Sequence, residues 1–261
     1  MLFMLKGKII NTLKLYISIS VLYLLCSSNI QAQQTIILAS DPWPPFVLGK
    51  EGSPATGGVG VTLINAIFDR IDNTHVHIPL MPWKRVLNNV RQGRVDGTQF
   101  LYKTPERSEY MVFSDPLFLS QDLAWYSKIH HPNGLSWQTI DDLKPYTIGG
   151  VSGYSYSPDI DKAKEKNALK YVEADNTEQL FTMLVGGRID IALANKVVGT
   201  SQVKLHAPER PIIAMDKAIA QEHFYIGISK KRQGQLLVSD INKALKTLKA
   251  EGMIEQIIYG E

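Results

Sequence analysis

Between residues 35 and 259, short β-rich runs alternate with amphipathic stretches of helical period, and this alternation constrains the fold more than any other feature. Residues 35–40 (TIILAS) read as a strand, closed by the proline-rich loop Asp41-Pro42-Trp43-Pro44-Pro45-Phe46. Residues 59–71 place Val61, Ile64, Ile67, Phe68 and Ile71 on one helical face, and residues 84–92 turn Val86, Leu87 and Val90 inward. Further strands are predicted at 75–80, 117–127, 146–149, 169–172, 190–193 and 224–229. Helices are predicted at 158–166, 177–186 and 235–259, the last broken near Gly252. Such alternation builds α/β units with parallel pairing, whose ligands sit at the carboxyl ends of strands. The Trp43 loop, the segment around Arg107, the turn 149–155 and the pair Ala194-Asn195 all follow predicted strands, which points to one shared cleft.

Ahead of this region, Lys6, Lys8 and Lys14 precede the twelve-residue apolar run 15–26. A membrane span needs about 20 apolar residues, so the run fits a secretory signal, with cleavage expected after Ala32. Leu25 is too large for the position before a lipidated Cys26. The chain carries 28 Lys and Arg against 25 Asp and Glu, and residues 1–32 hold three lysines and no acid. The exported form is therefore neutral, which excludes nucleic acid as a partner. Its lack of cysteine excludes thiol catalysis and suits an oxidising compartment.

The segment DGTQFLYKTPERSEYMVFSDP, residues 96–116, is the densest in chemistry. Thr104 suits a helix N-cap, Pro105 the first helical position and Glu106 the first turn. Arg107 falls in that same turn, where backbone N–H groups and the helix dipole already favour an anion. A guanidinium there makes a carboxylate socket. An ion pair with a surface acid explains Arg107 as well, and local chemistry does not choose between them.

The pattern T-P-E-R-x-x-x-M-x-F-S-D-P resembles the signature of the family 3 solute-binding proteins, the extracytoplasmic receptors of polar amino-acid ABC importers. The likeness extends over almost all of residues 33–261. It implies a two-lobed periplasmic-binding-protein fold of the type II kind, each lobe a mixed α/β sheet flanked by helices, with two crossover strands as hinge. The expected division is a signal at 1–32, first lobe at 33–126, second lobe at 127–222 and a return to the first at 223–261.

By the same resemblance, Arg107 holds the ligand's carboxylate, and Trp43 and Trp83 flank it with flat rings. Thr98 and Tyr102 lie where the family presents hydroxyl and backbone partners, although the loop is one residue shorter than usual. Ser155, in the turn Val151-Ser152-Gly153-Tyr154-Ser155, matches the family's second-lobe contact to the carboxylate. Asn195 stands where an acid often pairs with the ligand's ammonium. An amide supplies no charge, so the expected ligand is a carboxylate-bearing solute, either an amino acid or a related compound.

The expected role is periplasmic capture of that solute by a monomer, for an inner-membrane ABC permease. Two alternatives stay open. One is a ligand-presenting accessory of a membrane sensor. The other is an enzyme resembling the cyclohexadienyl dehydratases of this fold, with Glu173 or Asp175 as proton donor. Catalytic residues and cofactors are expected to be absent. His75 and His77 share one strand face without a third metal ligand.

Overall fold

The computed structural model describes residues 33–206, 211–232 and 234–260. The expected secretory segment, with Cys26, lies outside the described residues. No helix among the described residues is long and apolar enough to cross a membrane.

Ten strands and eight α-helices follow one another among the described residues. In chain order they begin with β1 (Gln34–Ile37), α1 (Val59–Phe68), β2 (Thr74–His77), α2 (Trp83–Gln92), β3 (Gly97–Leu101), α3 (Pro105–Tyr110) and β4 (Met111–Phe113). Next come β5 (Leu119–Ser127), β6 (Thr147–Val151), α4 (Pro158–Glu165), β7 (Lys170–Ala174), α5 (Thr177–Val185) and β8 (Ile191–Asn195). The chain ends with α6 (Lys196–His206), β9 (Ile212–His223), β10 (Tyr225–Ser229), α7 (Gly234–Ala250) and α8 (Met253–Tyr259).

Two sheet systems result. In the first, β10 lies antiparallel between β3 and β4, and β1 pairs in parallel with β2. A parallel bridge from Leu38 to Gly97 joins the two parts. Leu63, Ile64, Ile67 and Phe68 of α1 pack in this core with Ile241, Leu245 and Leu248 of α7 and Ile254 of α8. The last two helices therefore belong to the same core as the first strand. Gly58 opens α1 at φ 112°, and a Cβ there would lie 2.3 Å from the Phe46 carbonyl oxygen. Only glycine meets both conditions.

The second system is a five-stranded sheet in the order β7-β6-β8-β5-β9. Its two faces carry separate cores, because successive residues of a strand point to opposite sides. Leu123 and Trp125 pack with Leu180 and Phe181 on one face, whereas Ala124 and Tyr126 pack with Ile148 and Leu193 on the other. Pairing of β6 with β7 and β8 is parallel, while β5 runs antiparallel to both β8 and β9.

Strand β5 lies wholly in the five-stranded sheet, so sheet membership changes between Phe113 and Leu119, ahead of the expected position near Ser127. It changes back between His223 and Tyr225. The twelve-residue strand β9 was not legible in the sequence. Asp216, Lys217, Gln221 and Glu222 interrupt its apolar pattern, and its pairing with β5 shifts register twice.

Candidate functional site

A cavity with a free volume of about 50 Å³ lies between the two sheet systems. Trp43, Trp83, Tyr102, Arg107, Ser155 and Asn195 all touch it. Thr98 does not, and Gln99 touches it instead. Strict strand alternation would put Thr98, Phe100 and Tyr102 on one face. Phe100 breaks that alternation by adopting φ 56°, opposite a register shift between Tyr225 and Ile226. Gln99 through Tyr102 consequently all reach the cavity.

Arg107 is positioned by the helix start expected from the sequence. Thr104 caps α3 by accepting the Arg107 backbone N–H at 3.2 Å, and Pro105 occupies the first turn. Arg107 is 5 % exposed. Its Nη1 donates to the Tyr102 carbonyl at 2.9 Å, and its Nη2 reaches the Gly153 carbonyl at 3.4 Å. The nearby surface acid Glu106 pairs with Arg91 instead, at 2.5 Å. Among the described residues no carboxylate lies within ion-pair distance of Arg107. Burial lowers its pKa from the usual arginine value, the sign of a cation without full compensation.

Two further charged groups belong to this wall and escaped the sequence reading. Asp41 follows β1 and accepts the Tyr154 hydroxyl at 2.6 Å. Asp122, in mid-strand on β5, accepts the Tyr102 hydroxyl at 3.0 Å. Burial pushes each carboxyl up to about 7, against the partial relief of those hydrogen bonds. Asp122 is preceded by the polar pair Ser120-Gln121, so its local sequence gives no signal of burial. Gln99 is a third group missed, and neither end of its buried carboxamide has a hydrogen-bond partner.

The aromatic walls differ in character. Trp83 donates Nε1–H to the Gly153 carbonyl at 3.0 Å, and its ring lies 5.8 Å from the Arg107 guanidinium carbon. Trp43 stacks on Phe46 at 4.8 Å and meets Phe224 edge-on at 5.5 Å. It is thus part of the first core as well as of the cavity wall. Trp43→Ala is expected to cost about 3–5 kcal/mol of folding stability in addition to any loss of binding. Urea unfolding checks this, and an unchanged midpoint would remove Trp43 from the core.

Ser155 and Asn195 are already engaged. The Ser155 hydroxyl donates to Asp161 at 2.5 Å, leaving its oxygen free to accept. Asn195 caps α6 through Oδ1, which accepts the N–H of Val197 at 2.9 Å, while its Nδ2 donates to Ser120 at 2.8 Å. Its amide is spent on structure.

Glu173, considered above as a proton donor, points elsewhere. Lys164 at 2.7 Å, Ser152 and Lys84 surround its carboxylate and lower its pKa to about 2. It stays ionised at neutral pH and has no proton to give. His75 and His77 are exposed on β2, and no group of three potential metal ligands occurs among the described residues.

A buried guanidinium, two buried carboxylates and indole walls between two α/β sheets define a small-molecule binding cleft. The model of the bacterial extracellular solute-binding proteins, family 3, matches residues 36–259, and the chain belongs to that family. It is 26% identical over 237 residues to the arginine-binding periplasmic protein of Mannheimia haemolytica, covering 89% of this chain and 92% of the relative. Over 156 residues it is 26% identical to the ABC transporter arginine-binding protein 1 of Escherichia coli (strain K12), 59% of this chain and 60% of that one. Among solved structures, an ancestral arginine-binding protein bound to arginine superposes with a TM-score of 0.73 at 23% identity, over 85% of this chain and 96% of that one. The two-lobed fold is shared.

Proposed function

We propose that this protein is exported to the periplasm and captures a carboxylate-bearing solute, an amino acid or a close relative, in the interlobe cleft for import by an ABC permease. One observation carries the reading. Arg107 presents a buried guanidinium to the cavity, and only backbone carbonyls partner it. A solute carboxylate would supply the missing charge through two parallel hydrogen bonds. Trp83 and Trp43 would flank the solute, with Tyr102 and Ser155 contributing hydroxyl groups. Thr98 has no part in this site, and Asn195 contributes shape. The names of the curated relatives support an amino acid as ligand and import as its purpose.

A thermal-shift series with the purified protein tests this. The set comprises the twenty L-amino acids, small dicarboxylates and simple amines. A solute that binds only the folded form at 100 times its Kd stabilises by about 2.7 kcal/mol, a rise of several degrees. At least one amino acid should raise the melting point and amines without a carboxylate should not. A flat response to every carboxylate would reject the reading.

A further inference from the structure

Three neighbouring observations on β5 point to a second pole in the cleft. Asp122 is 5 % exposed and touches the cavity. Among the described residues no Lys, Arg or His lies within ion-pair distance of it. The pairing of β5 with β9 shifts register on both sides of Leu123, immediately after Asp122. Irregularities of this kind re-aim a side chain beside a site. Across the sheet, Asp122 stands in register with Asn195, whose amide is committed to the α6 cap and to Ser120. The carboxylate is therefore the group at this spot with acceptor capacity to spare.

Tyr102 links this acid to the arginine. Its carbonyl accepts from Arg107, and its hydroxyl donates to Asp122 and lies 3.0 Å from Ser120 Oγ. One tyrosine thus touches a buried cation at its backbone and a buried acid at its tip. A buried carboxylate without a cationic partner is costly, and a solute nitrogen would relieve that cost. Asp41 is also a buried cleft acid and receives a 2.6 Å hydrogen bond from Tyr154, whereas the tyrosine that donates to Asp122 is itself the residue whose carbonyl accepts from Arg107 at 2.9 Å. The acid beside the guanidinium's own partner is Asp122.

We propose that Asp122 is the counterion of a cationic nitrogen of the bound solute, so that the cleft reads a carboxylate at Arg107 and a positive charge at Asp122 on strand β5. This rests on the carboxylate reading above and adds the requirement that the solute be cationic as well. Asp122 is then a specificity-determining residue.

Four solutes of similar length separate the charges: hexanoate, norleucine with its α-ammonium, 6-aminohexanoate with a terminal ammonium, and lysine with both. Titration calorimetry of the wild type with the four, and with arginine, should give tighter binding of the cation-bearing members than of hexanoate. Asp122→Asn should weaken the tightest cationic member roughly 100-fold and change hexanoate little. Tyr102→Phe should weaken the same member less, and its fold is checked by melting. That selectivity separates the role from a structural one, because a damaged fold would weaken all members alike. An unchanged preference for cationic members in Asp122→Asn would overturn the proposal, as would a wild type that binds none of them. Loss of the preference in Asp41→Asn alone would overturn it too. If Arg107→Ala leaves binding intact while Asp122→Asn destroys it, the carboxylate reading fails and the cation site stands.

Discussion

Arg107→Ala is expected to weaken solute binding by about 2–5 kcal/mol, roughly thirtyfold to several thousandfold. The size follows from burial. Arg107 is buried and no acid among the described residues forms an ion pair with it, so a carboxylate meeting it does so at low local dielectric. Removing it leaves the solute's charge buried without a partner, which is the larger part of the loss. Folding should suffer little, since the side chain gives up only two hydrogen bonds to carbonyls and takes an uncompensated charge with it. Calorimetry and melting on the same sample read the two effects separately. An affinity within twofold of wild type would remove Arg107 from the site.

The second large effect concerns acidity. Assayed without solute, the protein should melt at a distinctly higher temperature at pH 5 than at pH 8. Asp41 and Asp122 have folded pKa values raised to about 7 from 3.8. Between those values the folded chain keeps two protons that the unfolded chain has released. Stability therefore falls as pH rises through this window and levels off above pH 7. At about 1.4 kcal/mol per pKa unit, two such groups give a ceiling of roughly 5 kcal/mol between pH 5 and 8. For a chain of this size that is on the order of 10 °C. Glu173 works in the opposite direction, but its lowered pKa of about 2 confines its change to the region below the ordinary carboxylate range. Replacing both aspartates by asparagine should flatten the profile. A wild-type curve already flat from pH 5 to 8 would show that the two acids are not held in their neutral form.

Features encoded by neighbouring residues were legible in the sequence. Thr104, Pro105 and Glu106 announce a capped helix start, and the helix stands at Pro105–Tyr110 with that cap formed. The break near Gly252 in the last helical stretch likewise separates α7 from α8. Features made by distant residues were not legible. Nothing local says that Asp122 is buried, because its cover comes from Tyr102 and from strands before and after it. The exchange of Thr98 for Gln99 at the cavity wall hangs on one left-handed residue, Phe100, which a period-two pattern cannot reveal. Asn195 touches the cavity as its position suggested, but the bond that commits its amide nitrogen goes to Ser120 on β5, 75 residues away.

The Gly153 carbonyl has a consequence for how measured affinities are to be understood. It accepts from Trp83 at 3.0 Å and from Arg107 at 3.4 Å, and a Cβ at Gly153 would come within 3.2 Å of the Trp83 ring. Under the proposed carboxylate reading, this backbone oxygen would be an internal competitor for the guanidinium. Binding would then be an exchange reaction, in which the solute gains only the difference between its own oxygen and that of Gly153. A change that pushes this turn away from Arg107 would strengthen capture without adding a single contact to the solute.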